Sequence, residues 1–173
     1  MDLSKAFDVL DHRILIQIIE HYVFRGKFRD LLVSFISNRK YFVRANGLNS
    51  DIKTTHIGVP QGSTISPLLL LLYINDMKNA SSLLDFIQFA DDTTLTMSGP
   101  QLDILTKVIE EDFGKVLDWL LANRLIIKLS KTHSMLFANK KVERNIIINA
   151  NNTVLEQKSE CKFLGIMTDD EIN

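Results

Sequence analysis

Two adjacent carboxylates, Asp91 and Asp92, stand between two strand-like runs in the segment FADDTTL. An apolar run leads into them and a β-rich run follows, so the pattern predicts a β-hairpin with both aspartates at its tip. Like charges repel each other there. A third aspartate, Asp2, falls in a separate segment that we also expect to be extended. On spacing alone an ordinary solvated turn explains the pair, because Asp-Asp pairs are common.

Three aspartates from two separate segments could instead converge on a pair of Mg²⁺ ions. Carboxylate oxygens suit Mg²⁺, which usually keeps some of its waters and shares the phosphates of a substrate. The ions would cancel the repulsion between Asp91 and Asp92. Two metals ~3.5–4 Å apart can stabilise the attacking and leaving oxygens of an in-line phosphoryl displacement. The chemistry to consider is therefore metal-assisted phosphoryl transfer.

The patterns around the aspartates predict a mixed α+β fold. Turn residues such as Asn46-Gly47 separate the predicted strands, and Ser66 and Pro67 give one helix a cap and a first turn. The predicted helices are residues 8–22, 27–37, 66–78 and 102–121. The predicted strands are residues 1–7, 41–45, 52–57, 83–90, 93–97, 125–127, 134–138, 145–148 and 161–167.

Composition limits the function classes that are open to the chain. Its 173 residues, 46% of them hydrophobic, suffice for one domain with a real core. The 20 basic and 21 acidic residues neither indicate nor exclude a nucleic-acid binder. A single cysteine, Cys161, excludes an internal disulfide, and the four histidines lack metal-ligand spacing. We expect no signal peptide, and the longest apolar stretch, residues 67–74, is far shorter than the ~20 residues of a membrane-spanning helix.

Four blocks occur in order along the chain: MDLSKAFDVLDH, GVPQGSTISPLLLLLYINDM, FADDTTL and NRLIIKLSKTHSMLF. Together they resemble the palm of the reverse transcriptases of non-LTR retrotransposons, the LINE-like elements of animal genomes. The resemblance runs from Asp2 to about Asp169, nearly the whole chain. It implies a polymerase palm with a ferredoxin-like βαββαβ core and extra helices. It also implies a single partial reverse transcriptase domain over residues 1–173, ending in a hairpin at 163–166 that resembles the primer grip.

The resemblance assigns catalytic roles residue by residue. Asp2, Asp91 and Asp92 match the metal-binding aspartates of the family, and the backbone of Leu3 lies beside the first of them. Lys131 matches a lysine that is thought to protonate the leaving pyrophosphate. A lysine that follows a strand is, however, more often simply solvated.

A second group of residues matches the nucleotide contacts of the family. Phe7 falls on the aromatic steric gate, which packs against the incoming sugar and disfavours a 2′-hydroxyl; an ordinary core phenylalanine is the alternative. Gln61 matches the residue that contacts the incoming nucleotide and the template strand. Gly58 and Gly62 would allow nucleic acid to approach the backbone closely, although a turn before a helix also uses such residues.

The activity that the resemblance implies is that of an RNA-directed DNA polymerase. A primer 3′-hydroxyl attacks the α-phosphate of a deoxynucleoside triphosphate (dNTP) paired to an RNA template, with two Mg²⁺ ions, replaceable by Mn²⁺, as cofactors. Positioning and electrostatics would supply most of the acceleration. The implied partners are the RNA template, the DNA primer, the dNTP and the remainder of a parent polyprotein, and no membrane. The implied location is intracellular, and nuclear for an element that copies itself at chromosomal DNA.

The chain also departs from the pattern of the family. The fingers would lie upstream of Met1 and the thumb downstream of Asn173, so we expect both to be largely missing, together with an endonuclease domain. The isolated chain is then expected to polymerise poorly or not at all, and to expose apolar surface. Lys128 stands where the family usually has Asn.

Alternatives to an active polymerase palm stay open. One is a truncated, inactive relic of such an element. Another is a non-catalytic nucleic-acid-binding module, whose expected face of basic and aromatic side chains is confined to one cluster, Arg39, Lys40, Tyr41, Phe42 and Arg44. An RNA-templated RNA polymerase is nearer in chemistry, but Phe7 weighs against it because a bulky gate would exclude ribonucleotides.

Overall fold

The computed structural model describes residues 1–22, 24–138, 146–150 and 153–170. The chain forms two compact units. The first comprises Met1–Ser4, Met77–Leu120 and Ile126–Asn173, and the second comprises Lys5–Asp76 and Leu121–Leu125. Within the described ranges the strands pair as two-stranded sheets beside the helices, which confirms the mixed α+β class. No helix in those ranges has both the length and the apolar character needed to cross a membrane.

Helices and strands follow one another in short elements. The helices are α1 Ala6–Val9, α2 His12–His21, α3 Gly26–Ile36, α4 Ser66–Ile74 and α5 Leu102–Ala122, with 3₁₀ turns at Met77–Ala80 and Leu129–Lys131. The strands are β1 Arg39–Tyr41, β2 Arg44–Ala45, β3 Leu48–Asn49, β4 Lys53–Thr55, β5 Asp85–Phe89, β6 Asp92–Thr96, β7 His133–Ser134, β8 Asn149–Ala150, β9 Thr153–Val154, β10 Glu156–Gln157, β11 Glu160–Phe163 and β12 Ile166–Asp169. β7 and β10 pair in parallel, and the other pairs are antiparallel: β1–β4, β2–β3, β5–β6, β8–β9 and β11–β12.

The second unit is organised around α2, which packs against α3 and α4. α4 is apolar on nearly all sides, as a helix in a protein core should be. Its deepest side chains are at most 1% exposed: Leu69, Leu70, Tyr73 and Ile74. Burial raises the pKa of Tyr73 to about 12, and the Tyr73 hydroxyl donates to the Asn123 carbonyl at 2.8 Å. The predicted core helix is confirmed, although it ends at Ile74 and a 3₁₀ turn continues the chain.

The predicted strand over residues 1–7 is much shorter in the structure. Only Asp2 and Leu3 take part in β-bridges. The chain turns at Lys5, whose φ of 51° is left-handed, and α1 begins at the next residue. Period-two and helical spacing cannot be told apart over so few residues, so the apolar pattern gave the wrong element here.

The predicted helix over residues 8–22 is broken at Leu10 and Asp11. Asp11 is the N-cap of α2, and its side chain accepts hydrogen bonds from the amides of Arg13 at 2.8 Å and Ile14 at 3.4 Å. Burial acts to raise the pKa of Asp11, but these amides and the Arg124 guanidinium, 2.5 Å away, lower it below its ordinary value. The apolar spacing continues across the break, so periodicity hid a cap that an aspartate before a helix could have indicated.

The predicted cap of α4 is also wrong. Ile65 is the residue before the helix and makes no side-chain cap, whereas Ser66 lies inside the first turn. The Ser66 hydroxyl donates instead to the Pro60 carbonyl at 2.6 Å, which ties the helix to the loop before it. Pro67 does lie in the first turn, as predicted.

The remaining strand predictions are correct in place but not in extent, except for residues 145–148, because β8 begins only at Asn149. Asn46-Gly47 forms the predicted turn, yet it closes the small β2–β3 pair inside a separate β1–β4 pair. The predicted strand 125–127 is a single bridge from Ile127 to Leu3. Other segments shift or shorten: 134–138 to β7, 145–148 to β8, and 161–167 to the β11–β12 hairpin. Asn145, where one predicted strand began, lies outside the described residues.

Helix α5 buries a charged residue within its apolar stripe. Asp112 is 1% exposed, beside buried Phe113 and Val116. Its carboxylate accepts hydrogen bonds from the Ser81 hydroxyl and from Lys115 Nζ, the latter at 2.5 Å. The Ser81 oxygen in turn accepts the amides of Leu83 and Leu84, at 3.1 and 3.0 Å, in the segment that leads into β5. Asp112 therefore fixes the entry to the β5–β6 hairpin.

We predict that Asp112→Asn lowers the free energy of unfolding by about 1–3 kcal/mol near pH 7, because it weakens hydrogen bonds to a buried charge. Lys115 and Ser81 lower the pKa of Asp112 below its ordinary 3.8. The contribution of a group with a lowered pKa is complete above its ordinary pKa and is lost as the pH falls through the folded value. The difference between wild type and variant in urea unfolding should therefore shrink below about pH 3.8.

Asp118→Asn provides the matched control, because Asp118 is exposed on the same helix. It should change the unfolding free energy by less than about 0.5 kcal/mol. An Asp112→Asn effect that is equal at neutral and acid pH would show that the charge of Asp112 contributes nothing.

Candidate active site

Residues 1–4 lie between two other segments of the first unit and are hydrogen-bonded to both. On one side, the Thr93 amide donates to the Met1 carbonyl at 3.1 Å. On the other side, the Lys128 amide donates to the Asp2 carbonyl at 2.9 Å. The backbone of the first candidate aspartate is therefore held from both directions.

Asp2 forms an antiparallel β-bridge with Asp92. The hydrogen bond from the Thr93 amide to the Met1 carbonyl lies beside this pair and does not join Asp2 to Asp92. In antiparallel strands, the side chains of such a non-hydrogen-bonded pair lie closer together than those of a hydrogen-bonded pair. Directly opposite residues share a face, with Cβ atoms about 4.5–5.5 Å apart. The Asp2 side chain is 20% exposed, and Asp92 is exposed. The structure thus brings two of the three candidate metal-binding aspartates together.

Asp91 lies beside this pair at the tip of the β5–β6 hairpin. The Phe89–Asp92 pair closes a two-residue turn of Ala90 and Asp91. Ala90 has a φ of 53°, a left-handed conformation that costs an ordinary residue about 1–2 kcal/mol. Strain of this kind concentrates at functional sites. Across the described residues, however, no group of three or more His, Cys, Asp or Glu side chains lies close enough to hold a metal ion, so the third aspartate does not complete a ready cluster.

Lys131 is also brought to Asp2. Its Nζ lies 3.5 Å from Asp2 Oδ2, at the end of the 3₁₀ turn that follows the segment bonded to Asp2. The Lys131 side chain is 60% exposed, so this ion pair contributes at most about 1 kcal/mol. A weak ammonium contact offsets part of the negative charge without occupying the carboxylates permanently. The carboxylate oxygens of Asp2 and Asp92 are hard donors, and hard oxygen donors of this kind fit Mg²⁺.

In the second unit, the loop Gly58–Ser63 is fastened against residues 7–12. The amides of Gly58 and Val59 donate to the carbonyls of Leu10 and Phe7, both at 2.8 Å. Buried His12 adds a hydrogen bond from Nε2 to the Gly58 carbonyl at 2.7 Å. These bonds fix the start of the loop that carries Gln61.

Gly58 is required where the loop meets the chain before α2. Its φ is +75°, and a Cβ at this position would lie 2.8 Å from the Asp8 carbonyl oxygen. No side chain fits so close to a backbone oxygen. Gly62 has a similar φ of +81°, but a Cβ there would meet open space. The two glycines of GVPQGS therefore serve different purposes, close contact at one and conformation at the other.

The second group of candidate residues surrounds an open cleft of about 410 Å³. Phe7, Gln61 and Gly62 line it, together with Ser63 and Thr64 before α4 and Ser66 and Pro67 in its first turn. Gln61 Nε2 donates to Asp8 Oδ1 at 2.9 Å, which orients the amide. All three predicted nucleotide contacts are thus brought to one cleft of the second unit.

Sequence reasoning missed Asp8 and His12 as partners of the loop. The sequence pattern places Asp8 in a helix, and His12 is one of the four histidines that lack metal-ligand spacing. Both contacts span more than 40 positions along the chain, from Asp8 to Gln61 and from His12 to Gly58. Local spacing contains no signal for contacts of that range.

Comparison with known proteins identifies the class to which these features belong. A family model described as reverse transcriptase (RNA-dependent DNA polymerase) matches residues 1–168. The chain therefore belongs to the reverse transcriptase family.

Curated relatives narrow the comparison to mobile elements. The chain is 26% identical to the RNA-directed DNA polymerase from mobile element jockey of Drosophila funebris. It is 28% identical to the probable RNA-directed DNA polymerase from transposon BS and 26% identical to that from transposon X-element, both of Drosophila melanogaster. Each match covers 98% of this chain and 19% of the relative, so the chain spans about a fifth of their length. The predicted resemblance to non-LTR retrotransposon reverse transcriptases is confirmed.

We predict that Gly58→Ala destabilises the second unit far more than Gly47→Ala does. Both glycines have positive φ, +75° and +79°, so both variants pay the same conformational cost of about 1–2 kcal/mol. Only the Cβ at Gly58 meets the Asp8 backbone. Urea unfolding should show an additional loss of about 1–3 kcal/mol for Gly58→Ala. Equal losses in the two variants would mean that the loop moves away freely and is not fastened as described.

Proposed function

We propose that the chain is the palm of an RNA-directed DNA polymerase of a non-LTR retrotransposon. The single observation that carries the proposal is the β-bridge between Asp2 and Asp92, in a chain that belongs to the reverse transcriptase family. Residues 1–173 would form one partial reverse transcriptase domain with a ferredoxin-like palm core. The hairpin at 163–166 would be its primer grip.

The reaction would be attack of a DNA primer 3′-hydroxyl on the α-phosphate of a dNTP paired to an RNA template. Asp2, Asp91, Asp92 and the Leu3 carbonyl would hold two Mg²⁺ ions, which supply charge stabilisation for the attacking and leaving oxygens. Lys131 would donate a proton to the leaving pyrophosphate. Its exposure and weak contact with Asp2 support that role, because the side chain loses little when it moves.

The cleft of the second unit would receive the nucleotide. Phe7 would pack against the sugar and exclude a 2′-hydroxyl, and Gln61 and Gly62 would contact the nucleotide and template. The hydrogen bond from Gln61 to Asp8 supports a fixed orientation for the amide, since an amide already held in place loses less freedom on binding. Template, primer and the remainder of the parent polyprotein would be the partners, and the nucleus would be the site of action at chromosomal DNA.

We predict that the 173-residue chain binds Mn²⁺, an EPR-visible substitute for Mg²⁺, through Asp2 and Asp92. Asp2→Asn and Asp92→Asn should each weaken binding by about tenfold or more, since even groups outside the ligand shell are worth 10–100-fold. Lys131→Met should strengthen binding, because it removes a competing cation from Asp2. Asp118→Asn, at an exposed helix position, is the matched control and should change nothing. Unchanged affinity in both site variants would refute the metal site.

Polymerisation can be tested by placing residues 1–168 in the corresponding segment of the jockey protein from Drosophila funebris. The chimera should extend a DNA primer on an RNA template, and Asp92→Asn should abolish extension. A chimera that folds and binds Mn²⁺ without extending would favour the inactive-relic interpretation. Extension that persists in Asp92→Asn would refute the proposed role of that residue.

We predict that Phe7→Ala in the same chimera increases the use of ribonucleotides relative to deoxyribonucleotides by about tenfold or more, equivalent to ~1.4 kcal/mol. The reason is loss of the ring that would exclude the 2′-hydroxyl. Phe7→Tyr keeps the ring and should keep the preference. An unchanged sugar preference in Phe7→Ala would leave Phe7 as a packing residue only.

A further inference from the structure

A β-arm, defined as residues 39–55, extends from the second unit as β1 and β4 with the smaller β2–β3 pair at its end. Every residue from 40 to 54 is exposed, so neither face of the arm contributes to the core. The base of the arm is tied to the unit by Arg39, whose Nη1 donates to the Gly58 carbonyl at 3.4 Å. Because the arm buries so little, it does not stabilise the core of the unit, and we infer that its role is to contact a partner outside the unit.

The arm is basic in a chain that is slightly acidic. It contains four basic residues and one acidic residue, Asp51, whereas the whole chain has a net charge of −1. The basic residues are Arg39, Lys40, Arg44 and Lys53. Among the described residues, no carboxylate forms an ion pair with any of the four. The arm therefore presents positive charge that no carboxylate in the described part of the chain neutralises by an ion pair.

One face of the arm combines this charge with an aromatic ring. Tyr41 pairs directly with Lys53, and Arg39 pairs with Thr55. Directly opposite residues lie on the same face, and so do residues two apart on a strand. Tyr41, 50% exposed, is thus flanked by Arg39 along its own strand and by Lys53 across from it.

Charged residues on an exposed strand can also serve only to prevent edge pairing. That purpose does not explain the half-exposed rings at Tyr41 and Phe42, because apolar surface left in water is unfavourable. Self-association of two arms would bring eight like charges together, and this opposes a second copy of the chain as the partner. A ring between two cations matches the alternation of bases and phosphates in a single nucleic-acid strand.

We propose that the face formed by Arg39, Tyr41 and Lys53 binds single-stranded nucleic acid. A base would stack on the Tyr41 ring, and adjacent phosphates would contact Arg39 and Lys53. Phosphate contact and stacking are common to RNA and DNA, so the face by itself reads neither base sequence nor sugar. This binding surface is additional to the proposed polymerase site and requires neither a dNTP nor a divalent metal.

The test is fluorescence anisotropy with labelled oligo(U) and oligo(dT) of about 15 nucleotides, a length within the range of single-strand site sizes. The 173-residue chain is used without dNTP and with a metal chelator present. Tyr41→Thr removes the ring but keeps a residue that favours strands, and Tyr41→Phe keeps the ring. Lys53→Gln removes one arm charge, and Lys27→Gln removes one exposed charge from α3 of the same unit as its control.

Tyr41→Thr should weaken binding of both oligonucleotides by roughly five- to a hundredfold, whereas Tyr41→Phe should bind like wild type. Lys53→Gln should reduce the slope of log K against log salt by about 0.7, the value of one phosphate contact on a single strand. Lys27→Gln should leave that slope unchanged. A larger loss for oligo(U) or for oligo(dT) would identify which strand the face serves.

Absence of binding by the wild-type chain would overturn the proposal. So would equal binding by wild type, Tyr41→Thr and Lys53→Gln. Sedimentation of the same samples tests whether the arm face instead mediates self-association of the chain. If the arm variants abolish self-association but leave oligonucleotide binding intact, the face is a contact between copies and the proposal is wrong. Each result is independent of primer extension, so failure here and failure of the polymerase proposal are distinguishable.

Discussion

Backbone hydrogen bonds on both sides of residues 1–4 are the constraint on which the first unit depends. They fix Asp2 opposite Asp92 before any side-chain interaction is considered. Two carboxylates about 4 Å apart repel by roughly 1 kcal/mol in water and by about 4 kcal/mol near a protein surface. The β-bridge forms despite this repulsion because its hydrogen bonds join backbone atoms and do not depend on the side chains. The Lys131 ammonium at 3.5 Å recovers part of the cost and leaves the Asp92 carboxylate exposed.

In the second unit, hydrogen bonds and close packing hold the irregular loop Gly58–Ser63 in place. A loop with glycines at positive φ would be mobile without external bonds, because glycine restricts the backbone so little. Here the Gly58 carbonyl accepts from His12, and the Gly58 amide donates to Leu10. The direct packing of Gly58 against the Asp8 backbone removes the remaining freedom. Gln61, three residues later, therefore projects from a fixed point.

Local signals in the sequence were sufficient for the elements whose residues interact with near neighbours. The α5 stripe, the apolar α4 and the Asn46-Gly47 turn were predicted because spacing and turn chemistry act over a few residues. The break before α2 was missed because the apolar spacing continues through a cap that one side chain creates at Asp11. The strand at residues 1–7 was overextended because its pairing depends on segments about 90 and 125 positions away, near Asp92 and Ile127. Spacing suggested the candidate aspartates but could not distinguish a metal site from a solvated turn at Asp91-Asp92, and the family resemblance favoured the metal site.

The net charge of this chain is a poor guide to its partners, because positive and negative side chains are unevenly distributed along it. The net charge is −1 and the arm contributes +3, so the rest of the chain carries −4. A polyanion would be repelled by exposed carboxylates such as Asp92 unless cations are supplied there, and it would be attracted by the exposed cations of the arm. Both tendencies follow from charged side chains that are exposed to solvent. A protein of this overall charge can therefore hold phosphates in two physically different ways, directly through ammonium and guanidinium groups, or indirectly through metal ions between two sets of anions.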